Sequence, residues 1–401
     1  MLVIGAGPAG LVAAETLAKA GSSVVVADGS PQPARKFMFA GRGGLNLTHS
    51  EPLETFLKRY GSARARLEPA IRAFPPDELR DWAASLDEPT FIGASGRIFP
   101  KSFKSTPLLR GWLRRLAGLG VQFRLHHRWL GFDRDGARFS APEGETAMAA
   151  DAIVLALGGA SWPRLGGDGA WVSILQSLGV SVAPLRPANV GFRVNWSDHF
   201  RARFAGEPLK AMGWSFAGHF SRAEAVVTRD GLEGGAIYAL GAALRPAIER
   251  DGAATLNIDL KPDWGQEKLH DALRRPPGAS LSTFLRKAAR LSPIAIGLLR
   301  EAGAIPENVD ALAARIKNCP AKLTGVGSLA RAISSAGGVL WDELDEHFML
   351  RRRPGLFVAG EMIDWEAPTG GYLLQASFSS GVAAARGALA YVDARASRGE
   401  D

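Results

Sequence analysis

Two groups of residues, near opposite ends of the chain, have types and spacing suited to holding a nucleotide. The first is the run GAGPAG at residues 5–10, a GxGxxG motif followed by Asp28 at the end of the next apolar run. Glycines let a pyrophosphate approach backbone N–H groups, and the N-terminus of the following helix adds partial positive charge. An acid at about this distance accepts hydrogen bonds from a ribose. The pattern predicts a dinucleotide site, and the alternative is a tight strand-to-helix turn with an incidental acid.

The second group decides which dinucleotide is expected. The motif FVAGE predicts a buried strand that ends in Gly360 and Glu361, and PTGGY places Gly370 and Gly371 at the start of the last helix. A flavin needs such a second site, because its ribityl hydroxyls take an acceptor and its N1–C2=O edge takes backbone donors at a helix N-terminus. A nicotinamide dehydrogenase has no such need. The sequence therefore predicts FAD, unless Glu361 is an ordinary surface acid and the glycines a simple turn.

A third motif, RKFMFAGRGGLNLTH at residues 35–49, carries three glycines that would let the chain pass close to a flat ligand. Within it, Lys36 could contact phosphate or ribose, and Asn46 could address a polar ring edge. Gly158 and Gly159 follow another apolar run and could let a sheet edge approach the nucleotide. Each of these segments could instead be a flexible loop or an ordinary turn.

The elements that must position these residues follow a strand, turn, helix, strand order at the start of the chain. The first two strands are apolar throughout rather than alternating, which is typical of a parallel sheet covered on both faces. We predict an α/β fold with a Rossmann-type FAD-binding domain formed by residues 1–187 and 337–401. Between them we expect an inserted domain, 188–336, that is mainly β over 188–262 and helical over 263–330.

Composition excludes several other classes of protein. Among the 401 residues no apolar stretch approaches the roughly 20 residues of a membrane span, so no membrane partner is expected. The single cysteine, Cys319, excludes an internal disulfide and a cysteine-ligated cluster, and it fits a reducing cytoplasm. His126 and His127 are expected on a strand, where neighbours point to opposite faces, so no metal site is predicted. The net charge of +8 favours anionic partners, although 37 arginines against 11 lysines can also reflect genome composition.

Five motifs together resemble one family, the BaiN/YhiN-like FAD-dependent oxidoreductases, also labelled aminoacetone-oxidase-family flavoproteins. They are GAGPAG at 5–10, RKFMFAGRGGLNLTH at 35–49, SGRIFPKS at 95–102, LALGGASWPRLGGDG at 155–169 and GEMIDWEAPTGGYLLQASFSSG at 360–381. The resemblance covers essentially the whole chain, and the last motif is the most specific. It implies a glutathione-reductase-like FAD-binding domain interrupted by a β-barrel-like domain that carries a helical subdomain.

The resemblance also implies roles for individual residues. The diphosphate and ribose would contact the first motif and its acid, the cofactor would be lined by the third motif, and the flavin end would meet the last helix. The residues expected to bind the cofactor are Gly5, Gly7, Ala9, Gly10, Asp28, Lys36, Gly43, Gly44, Asn46, Trp129 through its backbone near adenine, Gly158, Gly159, Gly360, Glu361, Gly370, Gly371, Tyr372 and Gln375.

Where many relatives have GGGRCN, this chain has GRGGLN, so Gly44 and Leu45 replace an arginine and a cysteine. Any role of that cysteine cannot be performed here. Functions attributed to the family include NADH-dependent reduction of a uridine in 23S ribosomal RNA and reduction of enones in bile-acid intermediates. Both deliver hydride to a conjugated C=C bond, and Tyr372, His49 and Lys101 are candidates by type for the accompanying proton.

The expected reaction takes electrons from NADH or NADPH, which would bind transiently because no second GxGxxG follows a strand. The acceptor would be a small molecule or an RNA base, and ribosomal RNA is a candidate partner. Two alternatives stay open: an oxidase that acts on amines or amino-ketones with O2, and a flavin-containing RNA-binding or ribosome-associated protein. The sequence does not indicate the oligomeric state.

Overall fold

The structure is a computed structural model that describes residues 1–40, 43–274 and 280–399. Gly41 and Arg42 of the third motif therefore lie outside the described residues. The chain forms two compact units, one of residues 1–186 with 334–401 and one of residues 187–333. The assignment of these parts to an FAD-binding and an inserted domain stays a prediction.

The chain up to Ala188, at the border of the second unit, begins with short apolar strands and continues through helices and small sheets. Its strands are β1 (Leu2–Ile4), β2 (Val25–Asp28), β3 (Thr48–His49), β4 (Thr90–Ile92), β5 (Arg97–Pro100), β6 (Gln122–Leu125), β7 (Arg128–Asp133), β8 (Gly136–Ala141), β9 (Gly144–Met148), β10 (Ile153–Leu155) and β11 (Val182–Ala188). Its helices are α1 (Pro8–Lys19), α2 (Arg35–Ala40), α3 (Leu53–Leu57), α4 (Arg64–Ala73), α5 (Pro76–Ala84), α6 (Ser105–Gly118) and α7 (Trp171–Ser177).

The second unit alternates strands and helices, and the chain then returns to the first unit. The strands of the second unit are β12 (Phe192–Val194), β13 (Pro208–Leu209), β14 (Gly213–Phe216), β15 (His219–Ser221), β16 (Ala225–Thr228), β17 (Gly231–Glu233), β18 (Ala254–Asp259) and β19 (Cys319–Val326). Its helices are α8 (Asp198–Phe204), α9 (Gly235–Asp251), α10 (Gln266–Ala272), α11 (Leu281–Ala288), α12 (Pro293–Glu301) and α13 (Val309–Lys317). The returning elements are β20 (Ser334–Val339), β21 (Leu356–Val358) and α14 (Tyr372–Arg398).

A five-stranded parallel sheet in the order β21-β10-β1-β2-β6 forms the centre of the first unit. Its middle strand is buried at every position, as the continuous apolar run predicts. Helices α1 and α14 pack closely against each other beside this sheet, and a Cβ atom at Gly381 would collide with the carbonyl group of Ala9. This is the Rossmann-type arrangement that the sequence predicts.

The second unit contains an antiparallel eight-stranded sheet in the order β13-β16-β17-β12-β19-β18-β14-β15, with its own buried apolar core. The prediction that 263–330 is helical is wrong for its last part, because residues 319–326 form strand β19. Pro320 and Gly325 within this segment weaken the sequence signal for a strand, and its pairing partner β18 lies some sixty residues earlier. The part predicted as mainly β, 188–262, also contains α9.

The two adjacent histidines and the helix lengths bear on the expectations from composition. His126 and His127 lie between β6 and β7 rather than on a strand, and His126 adopts a positive φ of 58°. Within the described ranges, no helix has the length and apolar character needed to cross a membrane.

Candidate functional site

The glycine-rich turn between β1 and α1 has a different structural reason for each of its glycines. Gly5 has φ +108°, and a side chain there would collide with the backbone of Ala156. A Cβ at Gly10 would collide with the carbonyl oxygen of Gly5, whereas a Cβ at Gly7 would have no heavy atom within 4 Å. Gly7 therefore leaves open space at the N-terminus of α1, whose free N–H groups favour an anion.

This turn opens into a cleft with a volume of about 310 Å³, within the range of small-molecule sites. The cleft is lined by the ends of β1, β2, β10 and β21 and by the segments that follow them. The residues predicted to bind the cofactor that line it are Gly5, Gly7, Ala9, Asp28, Lys36, Trp129, Gly158, Gly159, Gly360 and Glu361. Segments far apart in sequence thus meet in one cleft, within the first unit.

Asp28 ends β2 and faces the glycine-rich turn. Its Oδ2 accepts a hydrogen bond from the N–H of Ala6 at 2.7 Å, and its Oδ1 accepts one from the N–H of Ser30 at 2.7 Å. The carboxylate therefore fixes the backbone of the turn, and each oxygen keeps a second lone pair. A ribose hydroxyl could bind to these lone pairs, so the predicted contact with ribose is compatible with the structure.

Lys36 and Glu361 form an ion pair at the wall of the cleft. The Nζ atom of Lys36 donates to Glu361 Oε2 at 2.8 Å and to Ser161 Oγ at 2.6 Å. Glu361 Oε1 accepts from the N–H of Ser335 at 2.7 Å. A Cβ at Gly159 would collide with the Oγ of Ser335 and would lie 3.0 Å from the Glu361 carboxyl carbon, so the glycine there makes room for both side chains.

The cleft fits a dinucleotide in two further respects. Trp129 lines the cleft, and its buried indole Nε1 has no hydrogen-bond partner among the described residues. Gly7 and Gly158 line the cleft and have no heavy atom within 4 Å of where a Cβ would be, so a ligand can approach their backbone closely. An anion at the N-terminus of α1, joined to an elongated polar ligand along the cleft wall, would fit this arrangement.

A second group of titratable residues, which we call the Tyr372 cluster, lies where α14 begins. Tyr372 donates its hydroxyl hydrogen to Glu51 Oε1 at 2.7 Å, and Arg59 binds both carboxylate oxygens of Glu51 at 3.0 and 2.7 Å. The ring of His49 stacks on that of Tyr372 with centroids 5.5 Å apart. Gly371 caps α14 with φ +95°, and a Cβ there would collide with the backbone of Thr48.

The Tyr372 cluster holds its protons in fixed places. Burial alone would raise the pKa of Glu51, but hydrogen bonds from Arg59 and Tyr372 and the charge of Arg59 hold that pKa below its ordinary value. Burial, followed by the hydrogen bond to the Glu51 carboxylate and its charge, raises the pKa of Tyr372 far above its ordinary value. Glu51 is therefore ionised and Tyr372 protonated at neutral pH.

His49 already uses both ring nitrogens. Its Nδ1 accepts from the N–H of Glu51 at 3.1 Å, and its Nε2 lies 3.0 Å from the carbonyl oxygen of Ser95. This assigns the proton of the neutral ring to Nε2. Of the candidate proton donors, the structure brings His49 and Tyr372 together, whereas Lys101 is exposed after β5 and is not part of the cluster.

Several residues predicted to bind the cofactor do not line the cleft. Asn46 donates from Nδ2 to the carbonyl oxygens of Thr48 and Ile98, which ties down its loop. Gln375 is fully buried and donates to the carbonyl oxygen of Phe74, because it lies on the face of α14 that packs against the end of α4. The others outside the cleft lining are Gly10, Gly43, Gly44, Gly370, Gly371 and Tyr372.

Sequence reasoning missed other residues of the cleft. Ser377 lines it, two positions after Gln375 on α14, and Trp171 lines it and donates from Nε1 to the carbonyl oxygen of Gly158 at 2.8 Å. Arg128 and Asp168 form an ion pair of 2.7 Å at its edge. Asp168 belongs to the motif at 155–169 and Ser377 to the motif at 360–381, but the sequence gives no role to either residue.

The chain is similar to a known family and to characterised relatives. The model of the HI0933-like protein Rossmann domain matches residues 1–387. The ribosomal RNA dihydrouridine synthase of Escherichia coli (strain K12) is 25% identical over 404 residues, covering 97% of this chain and 98% of that protein. The 3-dehydro-bile acid delta(4,6)-reductase of Clostridium scindens is 26% identical over 416 residues, covering 96% and 98%.

Among solved structures, the 3-ketosteroid delta1-dehydrogenase of Sterolibacterium denitrificans superimposes with a TM-score of 0.53 at 14% identity. The match covers 98% of this chain and 99% of that one, and it shows a shared fold. The family model spans nearly the whole chain, and the resemblance inferred from the five motifs is confirmed. The chain belongs to the HI0933-like family and is an FAD-dependent oxidoreductase.

Proposed function

We propose that this enzyme transfers a hydride from NADH or NADPH, by way of its FAD, to a conjugated C=C bond in an enone or a uracil-like ring. One observation carries the proposal. Two relatives that align with 96–97% of the chain have names that describe the saturation of such a bond, one in uridine and the other in a bile acid. Both reactions need the same delivery of hydride to the electron-poor end of a double bond.

The residues of the cleft suit the parts of FAD that they would hold. The turn at residues 5–10 and the N-terminus of α1 would bind the diphosphate, and Asp28 the adenosine ribose. Lys36 and Glu361 offer a donor and an acceptor for the ribityl chain and phosphate. When bound, FAD would supply a carrier that accepts a hydride and passes it on.

The start of α14 would stabilise negative charge in the reaction. The first turn of a helix leaves backbone N–H groups without partners, and they carry partial positive charge. Gly371 permits this helix to begin directly against β3, next to the third motif. We assign to this helix end the stabilisation of the anionic edge of a reduced flavin.

Solvent would supply the proton that completes the reduction. The hydroxyl hydrogen of Tyr372 is committed to Glu51, and both ring nitrogens of His49 are bonded to backbone groups. Lys101 lies outside the Tyr372 cluster. The nicotinamide donor would bind transiently, at the place where the substrate binds later, because the sequence has only one GxGxxG motif after a strand.

An anaerobic two-stage experiment tests the proposal. The FAD-loaded protein is first reduced with NADH or NADPH, and its flavin absorbance is followed. The reduced protein is then mixed rapidly with a steroid enone, a uridine-containing RNA fragment or O2. We expect at least one of the first two to reoxidise the flavin faster than buffer does. Reoxidation by O2 alone, with release of peroxide, would favour an oxidase and contradict the proposal.

A further inference from the structure

An exposed aromatic surface is formed by β4, β5 and the turn that follows them, residues 90–104, which we call the aromatic hairpin. Phe91 and Phe103 are 38% and 44% exposed, and Ile92 is 51% exposed. Phe91 and Phe99 are direct neighbours across the two strands, with ring centroids 5.8 Å apart. The ring of Phe103 lies 4.9 Å from that of Phe99. Large apolar side chains grouped on a surface mark an interaction site.

The charge of the aromatic hairpin has one sign. Arg97, Lys101 and Lys104 are its only charged residues. The structure gives none of these three side chains an ion pair with any residue that it describes, and both lysines are exposed. Unpaired cations beside exposed aromatic rings are the combination by which proteins bind single-stranded nucleic acid, since bases stack on the rings and phosphates meet the cations.

The aromatic hairpin is attached directly to the segment predicted to line the flavin. The N–H of Leu47 donates to the carbonyl oxygen of Ile98 at 2.9 Å, and the N–H of Leu45 donates to that of Phe103 at 3.3 Å. A side chain at Gly44 would lie 2.5 Å from the ring of Phe103. A ligand on this surface would therefore lie beside the third motif.

The backbone of Phe103 adds an independent indication of function. Its φ is +60°, a left-handed conformation that is unfavourable for a bulky residue. The conformation is held by the hydrogen bond from its N–H to the carbonyl oxygen of Pro100 at 2.8 Å. Backbone conformations of this kind in bulky residues are concentrated at functional sites.

We propose that the aromatic hairpin is the docking surface for single-stranded RNA, with bases stacked on Phe91 and Phe103 and phosphates bound by Lys101 and Lys104. The inference rests on the proposed function in so far as one base of the docked strand would be the uracil-like ring that is reduced. A neutral flat substrate such as a steroid would use the rings but would have no need of three unpaired cations. Nothing in the chemistry of the surface requires a duplex.

Binding of a fluorescently labelled 12-nucleotide oligouridylate to the FAD-loaded protein tests the docking surface. Stacking of one base on an aromatic ring is lost on truncation, so Phe91→Ala and Phe103→Ala should each weaken binding roughly five- to a hundredfold. The double variant Lys101→Gln/Lys104→Gln loses two phosphate contacts. It should therefore reduce the magnitude of the slope of log affinity against log salt concentration by about 1.4. The matched control is Phe220→Ala, because Phe220 is 62% exposed but belongs to the second unit.

A parallel assay of steroid-enone reduction by NADH separates this inference from the proposed function. RNA binding that depends on Phe91 in a protein that reduces no acceptor would support the docking surface and refute the proposed reaction. RNA binding that is unchanged in all hairpin variants would overturn the docking surface, whatever the enone assay shows. A raised KM for the enone in Phe91→Ala, without RNA binding by the parent protein, would also overturn it, since the surface would then serve a neutral ligand.

Discussion

At the scale of single residues, the ion pair between Lys36 and Glu361 joins segments more than 300 residues apart at the cleft wall. Each partner neutralises the other, so the wall can offer an ammonium and a carboxylate to a ligand without an unpaired charge. The glycine at residue 159 lies beside this pair, since a side chain there would collide with Ser335 and would also come within 3.0 Å of the Glu361 carboxyl carbon.

Replacing Glu361 by alanine should weaken FAD retention about tenfold to a hundredfold. The variant removes an acceptor for the cofactor and leaves Lys36 without its counter-charge, and a hydrogen bond to a charged group contributes about 1.5–3 kcal/mol. The measurement is the dissociation constant of FAD from flavin fluorescence, with the exposed Glu346→Gln as the control. Cofactor occupancy equal to that of the parent would show that Glu361 does not contact FAD.

Tyr372→Phe tests whether the Tyr372 cluster supplies a proton. Because the hydroxyl hydrogen of Tyr372 points to Glu51, we expect kcat for the reduction of an enone to fall less than tenfold. Loss of a true general acid costs about a hundredfold to ten-thousandfold. A loss in that larger range, together with a changed pH profile of kcat, would make Tyr372 the donor and exclude solvent.

The same cluster predicts a pH dependence of stability. The pKa of Glu51 is lowered in the folded protein, so its contribution is present above its unfolded pKa near 4.5 and is lost as the pH falls through the folded value. Glu51→Gln should therefore destabilise the protein by about 1 kcal/mol at pH 7, because Arg59 is half exposed. In urea unfolding the difference should shrink below pH 4.5, and a constant difference would refute the ionic contribution.

At the scale of elements, the contact between α1 and α14 brings the two halves of the first unit together. This contact depends on small residues where the two helices cross. A Cβ at Gly381 would collide with the carbonyl group of Ala9 and would lie 2.6 Å from a methyl group of Val12. The N-terminus of α1, where we expect the diphosphate, begins at Pro8, directly before this crossing. A wider crossing would therefore alter the cleft as well as the core.

Gly381→Ala should destabilise the first unit by more than about 2 kcal/mol, although alanine is the better helix former. The added methyl group has no space between the helices, so one of them must shift. The control is Gly118→Ala in α6, where a Cβ has no heavy atom within 4 Å. Equilibrium unfolding in urea compares the two, and equal stability of both variants would show that α14 adapts without cost.

Elements with a strong local signal could be predicted from sequence, and those that depend on distant partners could not. The GxGxxG turn, the first strands and α14 follow from residue types within short windows. Strand β19 was missed because its stability comes from pairing with β12 and β18. Cys319 therefore lies on a strand rather than in the predicted helical part. It is buried there, and burial raises the pKa of its thiol to about 12, so its role is to pack in the core.

The candidate site shows the same division. Glycines of the cleft could be found because close backbone contact requires them, and Glu361 because it closely follows a buried strand, although β21 ends at Val358 rather than at Glu361. The sequence does not indicate which face of α14 points to the cleft, because nearly every residue around Gln375 is apolar or small. Gln375, which the family resemblance implies at the flavin end, does not line the cleft, whereas Ser377, two positions later on the same helix, does.

At the scale of the whole molecule, the two units have separate apolar cores, and every residue lining the cleft belongs to the first unit. A ligand stabilises the folded state to which it binds, by about 2.7 kcal/mol when its concentration is a hundred times its dissociation constant. FAD should therefore protect the two units unequally. This follows from where the cleft residues lie and needs no knowledge of the substrate.

Hydrogen exchange followed by mass spectrometry, with and without excess FAD, measures this difference on the intact chain. We expect slower exchange in peptides from β1, α1, β10 and the start of α14, and little change in peptides from β14, β15 and β18. The Glu361→Ala variant at the same FAD concentration should show a smaller effect. Protection distributed equally over both units would mean that FAD binding also orders residues 187–333, and the cleft would then be only part of the cofactor site.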